Sequence, residues 1–366
     1  MDSPRILITG NLGYVGPGVV RQLRQAFPDA ELIGFDLGLF AHCLTGPAPL
    51  PEVCLDRQVF GDVRHLPSGL LTGVNVVVHL AAISNDPMGT AFEDVTMAVN
   101  HDASVHLARV AKAHGARAFV FASSCSVYGL GGDEWKSEDA ALNPLTAYAR
   151  SKVATERDLA ALADDKFRVT CLRFATACGW SERLRLDLVL NDFVASAVAT
   201  GEITILSDGT PWRPLIHVRD MARAVLWATH RPLGGPFLAL NVGSNAWNYR
   251  VRELAEAVAR NRPDTKVRLS PTGAPDRRSY RVDFDLFRQL APEHQPLMTL
   301  DATITELTSK LLEMWFIDPD FRTSRLMRLR VLKALVEQGD LTPDLTWAPL
   351  PRPAPATLRP AAPVPA

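Results

Sequence analysis

The chain has 366 residues, enough for one large or two modest domains with a sizeable core. Its 39 Lys and Arg residues balance 40 Asp and Glu, with 47% hydrophobic and 22% charged residues. Such a composition suits a globular protein and lacks the basic excess that a nucleic-acid binder turns on phosphates, so no nucleic-acid partner is expected.

MDSPRILITG enters a strand pattern almost at once, without the basic and long apolar regions of a secretory signal, and no later apolar run approaches the ~20 residues of a membrane span. No membrane partner is expected. Five cysteines, Cys43, Cys54, Cys125, Cys171 and Cys178, form no CxxC pair. A reducing cytoplasm fits them, with neither a disulfide framework nor a metal site.

Short apolar runs alternate with helical periodicity through the first half: RILIT, a helix from about Tyr14 to Ala26, ELIGFD, NVVVHLA, a helix from about Ala91 to His114, and AFVFA. YARSKVATERDLAALA then reads as helix and RVTCLRF as strand. This alternation predicts an α/β fold, a Rossmann-type doubly wound parallel sheet of about six or seven strands within residues 1–175. Residues 176–345 carry shorter, dispersed helices and strands, predicted as a smaller α+β substrate lobe with excursions back to the first domain. They end in helical periodicity over about Thr299 to Trp315 and Ser324 to Glu337. Residues 346–366 are rich in Pro and Ala and read as a disordered tail.

TGNLGYVG places Gly10, Gly13 and Gly16 between a strand and a helix. Glycines there permit a tight turn and close approach of backbone N–H groups to a pyrophosphate, which makes Gly10, Asn11, Gly13, Tyr14, Val15 and Gly16 candidate cofactor contacts. A plain strand-to-helix turn accounts for the glycines equally well. Asp36 adds the discriminating feature: it ends the next strand about 20 residues on, where a carboxylate binds a ribose 2′-OH and repels a 2′-phosphate, so NAD is expected over NADP.

In AYARSK, Tyr148 and Lys152 stand four apart on one helix face. A phenol is a poor base near neutrality, but a neighbouring ammonium and a nicotinamide cation both favour the phenolate, so Tyr148 is a candidate base toward a substrate alcohol. A solvated helix face is the alternative.

With SSCSVYG at residues 123–129 preceding that pair, the sequence resembles the extended short-chain dehydrogenase/reductases, in the NAD-dependent nucleotide-sugar epimerase and dehydratase branch that includes UDP-glucose 4-epimerase-like enzymes. The resemblance runs from residue 5 to about 290. It implies that GDVR (Asp62, Val63) contacts adenine and that HLAA (Leu80, Ala81, Ala82) passes beneath the cofactor. Asn100 matches a recurrent family asparagine near it. It implies catalysis by Ser124, Tyr148 and Lys152, with Ser124 bonding the sugar hydroxyl and Lys152 holding the nicotinamide ribose and lowering the tyrosine pKa. A nucleotide-diphosphate sugar is the implied substrate and a homodimer the implied assembly. Candidate substrate contacts are Ser84, Asn85, Ser124, Cys125, Thr176, Asn191, Arg213 and Arg278, with Arg277 the alternative to Arg278. His217, Asp220 and Ser126 read as structural.

Three reactions stay open at this point. An epimerase oxidises the sugar, lets the keto form turn over and reduces its other face. A dehydratase shares the first step but eliminates water with an Asp and Glu placed directly after the catalytic Thr, where this chain has Cys125 and Ser126; a keto-sugar reductase shares the triad. A non-catalytic NAD-binding protein would be expected to lose the glycines or the Tyr–Lys pair, and all are present. The epimerase is the expected function.

Overall fold

The computed structural model describes residues 3–46, 49–270 and 278–349. Arg277 and residues 350–366 of the expected tail therefore lie outside the described residues, whereas residues 346–349 are placed, with Trp347 bridging to Leu341.

Seven strands form one sheet in the spatial order Phe237–Val242, Arg168–Phe174, Ala118–Ser124, Val76–His79, Arg5–Thr9, Glu31–Asp36, Arg57–Phe60. All are parallel. Their β-branched and aromatic runs are covered on both faces. Ile6 and Ile8 pack with Val19, Val20 and Leu23 of the helix Gly16–Ala26, whereas Leu7 between them packs with Leu107 and Ala108 of the helix Ala103–Ala113. The chain winds outward from Arg5–Thr9 to Arg57–Phe60, then crosses to Val76–His79 and winds the other way. Adjacent strands leaving in opposite directions open a crevice at their carboxyl ends, and this switch point lies between Thr9 and its register partner His79.

Three smaller sheets build the second lobe: Thr176–Cys178 with Trp212–His217 and Asn248–Arg250, Glu202–Ile205 with Lys266–Leu269, and Leu130–Lys136 with Ser279–Val282. Sequence periodicity missed Leu130–Lys136, whose LGGDEWK lacks apolar alternation. Phe237–Val242, far along the chain, returns to complete the large sheet beside Arg168–Phe174.

The helix expected from about Ala91 to His114 runs from Glu93 to Ala113 with a π-helical turn inside it. Asp86–Ala91 ends at Phe92 (φ −135°, ψ 57°), Glu93–Met97 follows, and a π-helical turn, Ala98–Asp102, precedes Ala103–Ala113. The π turn seats Asn100 against the loop after the strand Val76–His79: its amide oxygen accepts from Ile83 N at 2.8 Å and its nitrogen donates to Ile83 O at 3.0 Å and Ser151 Oγ at 3.2 Å.

Beneath the sheet's end, Arg173 and Glu156 form a buried ion pair at 2.7 Å, and Ser123 Oγ donates to the same carboxylate. Arg173 also donates to Tyr128 OH and to Glu138 O. Removing one member of such a pair leaves an uncompensated charge in a low-dielectric interior. Arg173→Met should lower unfolding stability by about 3–5 kcal/mol in denaturant titration, and Arg173→Met with Glu156→Leu should recover much of that loss.

Candidate active site

The site begins with Gly10, which leaves the first strand at φ +75°. A Cβ there would stand 2.4 Å from Ala81 N, so only glycine lets the two neighbouring strand ends converge. Gly10 N donates to Phe35 O and Gly13 N to Gly10 O, closing the turn. A Cβ on Gly16 would meet Asn11 O at 2.0 Å, which fixes how tightly the helix start tucks under the turn. Asp36 accepts from Leu12 N at 3.0 Å and Gly38 N at 2.8 Å; burial raises its pKa above the ordinary carboxylate value, and these two amides oppose that shift. Asp62 is held by Arg64 through a side-chain fork, at 2.6 Å for its shortest contact.

The two strand ends are locked by a neutral imidazole. Ser104 spends its proton on Asn100 O, so His79 Nε2 donates to Ser104 Oγ (2.7 Å) and Nδ1 accepts from Thr9 Oγ1 (2.6 Å). Burial pushes the His79 pKa down to about 3, so it is uncharged at any working pH.

A cavity of about 790 Å³ opens above these turns. Gly10, Gly13, Tyr14, Val15, Asp36, Asp62, Val63, Leu80, Ala81 and Ala82 line it, and Ser124, Tyr148 and Lys152 line its floor. Gly10 without room for a Cβ, a carboxylate at the second strand's end and the apolar Leu80, Ala81 and Ala82 beside them fit a dinucleotide laid across the switch point. Three other proposed cofactor contacts do not line this cavity. Asn11 is turned to Gln58 Oε1 at 2.6 Å, Gly16 faces Asn11, and Asn100 spends its amide on Ile83 and Ser151. Asn100 is a positioning residue in this fold: through Ser151, whose hydroxyl donates to Tyr148 O, it ties the loop after Ala82 to the tyrosine's helix.

Thr146 caps the helix Ala147–Ala160, accepting from Ala149 N, and so fixes where Tyr148 and Lys152 emerge. Burial pushes the Tyr148 pKa up to about 12, while a hydrogen bond with Ser124 and the charge of Arg185 oppose it. Lys152 Nζ donates to Ala122 O at 2.7 Å and lies 4.5 Å from the Phe121 ring centroid, and burial pushes its pKa down to about 7. At Tyr148 desolvation dominates, and Arg185 is the cation that opposes it most.

Ser123, Ser124, Cys125 and Ser126 part company at the strand end. Ser124 Oγ accepts from Ser126 N and caps a 3₁₀ turn, Cys125–Tyr128. The Cys125 thiol is buried against Arg173 O at 3.1 Å and does not line the cavity, unlike its sequence assignment as a substrate contact; burial keeps its pKa well above the ordinary thiol value. Ser126, read from sequence as a turn former, lines the cavity with its hydroxyl buried and without a hydrogen-bond partner.

On the substrate side, Ser84, Asn85, Thr176, Arg213 and Arg278 line the cavity. Asn85 caps the next helix and donates to Asp187 Oδ2 at 2.9 Å, while Arg278 pairs with Asp86 at 2.8 Å. Arg213 donates to the carbonyl oxygens of Trp212 and Arg278. Asn191 does not reach the cavity: fully buried, it accepts from Gly179 N and donates to Tyr14 OH and Arg185 O. The sequence reading missed Arg185 and Asp187, a buried pair at 2.9 Å whose arginine also donates to Ser84 Oγ. Burial favours a neutral Asp187, yet Arg185 holds its pKa below the ordinary value. Only their position after Thr176, where the chain departs from the family pattern, signalled them. His217 and Asp220 are structural, bonded to Glu306 and to Leu297 N and Met298 N.

A dinucleotide cradle facing a Ser–Tyr–Lys floor defines the short-chain dehydrogenase/reductase class. Residues 6–243 match the model of the NAD dependent epimerase/dehydratase family, and the chain belongs to that family. It is 28% identical over 290 residues to a UDP-glucose 4-epimerase of Rhizobium leguminosarum bv. trifolii, covering 72% of this chain and 84% of the relative. A dTDP-glucose 4,6-dehydratase of Streptomyces griseus is 28% identical over 250 residues, 67% of this chain and 74% of the relative. Among solved structures, MoeE5 in complex with UDP-glucuronic acid and NAD aligns with a TM-score of 0.72 at 25% identity, over 84% of this chain and 99% of its own.

Lys152 supplies a pH test. Its folded pKa of about 7 lies below the ordinary 10.5, so between these values the unfolded chain binds a proton that the fold does not. Raising the pH through that interval should stabilise the cofactor-free protein. The heat-denaturation midpoint of the wild type should rise relative to Lys152→Met between pH 7 and 10, and parallel curves would contradict the assignment.

Proposed function

We propose that the protein is a NAD-dependent nucleotide-sugar epimerase that oxidises one ring alcohol to a ketone and reduces it again on the opposite face, at C4 by analogy with its relatives. The observation that carries this reading is the surface around Tyr148. The two positions where a dehydratase keeps its acid pair hold a thiol turned away from the cavity and an unpartnered hydroxyl. The nearby carboxylates Asp86 and Asp187 are held in ion pairs with Arg278 and Arg185. Elimination of water requires a further acid and base, whereas epimerisation requires one reversible proton acceptor.

Tyr148 is that acceptor. In the cofactor-free protein its phenol is protonated by burial, and a positive charge on the nicotinamide would draw it toward the phenolate. Ser124, hydrogen-bonded to Tyr148, aligns the sugar hydroxyl and relays its proton. Lys152 lies beside the tyrosine, where its amine can bind the nicotinamide ribose. Bound NAD supplies reversible hydride transfer. Arg213 and Arg278 hold the substrate diphosphate at the far wall, so the oxidised sugar can turn over without leaving the cavity. The reading carries with it the homodimer implied by resemblance and the cytoplasmic setting read from the cysteines, in keeping with five free thiols.

Tyr148→Phe should reduce turnover by about 10²–10⁴-fold while leaving NAD binding within a few-fold of wild type. Incubation with UDP-, dTDP-, GDP-, ADP- and CDP-sugars without added reductant should interconvert one pair of epimers. A 4-keto-6-deoxy product would make the protein a dehydratase, and a need for stoichiometric NAD(P)H a reductase.

A further inference from the structure

The cavity's outer wall comes from a part of the chain beyond the family match, which ends at residue 243. Met327, Arg328, Leu332 and Leu345 line the same cavity as Gly10, Asp36 and Asp62. The helix Arg328–Glu337 and the turn after it are anchored to four separate parts of the rim. Trp347 Nε1 donates to Leu37 O at 2.7 Å, next to the Asp36 carboxylate. Arg64, already paired with Asp62, donates to Asp344 O at 2.9 Å. Arg328, 1% exposed, donates to Arg183 O and Leu184 O, and Leu332, Leu341 and Leu345 pack in one cluster with Ile83 of the loop after Ala82 and Met88 of the helix Asp86–Ala91.

Leu345 is the most informative of these residues. It stands at φ +53°, a backbone conformation that side chains bearing a Cβ rarely adopt, and it is nevertheless 2% exposed in the cavity wall. A turn whose purpose was only to reverse the chain would take glycine or asparagine there at less strain. The leucine side chain is the feature the strain retains: it lines the cavity that Asp36 and Asp62 also line, and its neighbours Asp344 and Trp347 are bonded to Arg64 and to Leu37 O.

We propose that residues 324–347 form the outer wall of the adenosine half of the dinucleotide site, with Leu332 and Leu345 as its apolar surface, so that bound NAD leaves only when this segment lifts. The proposal rests on the dinucleotide site and not on the choice of epimerase. A cofactor enclosed in this way suits a reaction that regenerates it at every turnover, because no exchange is needed.

The test is the rate at which the full chain, loaded with isotopically labelled NAD, loses label to excess unlabelled NAD. Leu345→Gly removes the side chain and relieves the backbone, so the fold should persist, and it should speed release by about tenfold or more. Trp347→Phe keeps an aromatic ring but removes the donor to Leu37 O, and should speed release by several fold. Wild-type release rates in both variants would overturn the proposal, as would faster release that only tracks a fall in the unfolding midpoint of the cofactor-free protein. Failure of the wild type to take up any label would overturn the cofactor site itself, and the proposal with it.

Discussion

The site depends on a backbone contact in which a side chain has no room. At Gly10 the first strand ends at a positive φ, and its Cα lies against the peptide joining Leu80 to Ala81. That approach brings two adjacent strand ends level at the point where the sheet's winding reverses, which creates the crevice. Further positions follow in sequence. His79 links Thr9 to Ser104, Asn100 clamps Ile83, and Ser151 passes the constraint to the tyrosine's helix. A methyl group at residue 10 would therefore displace both the glycine turn and the Ser–Tyr–Lys floor.

The second organising feature is the disposition of charge. Asp86, Asp187, Glu156 and Asp62 each face an arginine, at 2.8, 2.9, 2.7 and 2.6 Å. What remains to act on a substrate is a set of alcohols and an amine, Ser124, Ser126, Tyr148 and Lys152. Burial biases the last two toward their uncharged forms, so the cofactor-free site stores its proton on the phenol. Chemistry that needs one proton shuttled out and back is within reach of such a floor. Elimination from neighbouring carbons would require releasing one of the paired carboxylates, and freeing Asp187 would leave Arg185 unpaired in a poorly solvated wall.

How much of this was legible in the sequence depended on the range of the interactions involved. The glycine turn, Asp36, the strands at 118–124 and 168–174 and the Tyr148–Lys152 pair are set by local turn chemistry or periodicity, which sequence spacing carries directly. The break at Phe92 and the π turn around Asn100 were not, because helical periodicity continues through both while a tertiary clamp on Ile83 decides the backbone. Spacing alone also could not say which members of SSCSVYG face the cavity: a 3₁₀ turn sends Cys125 inward and leaves Ser126 in the wall. The carbonyl that Arg64 reaches, Asp344 O, lies 280 residues away, and no local pattern announces such a contact.

The most direct measurement of the central claim follows an isotope at the oxidised carbon. A nucleotide sugar bearing deuterium at C4, incubated with the protein and no external nicotinamide, should yield the C4 epimer with deuterium retained at C4. Deuterium found at C6 of a 4-keto-6-deoxy sugar would contradict the account, because the hydrogen would then have closed an elimination rather than an inversion.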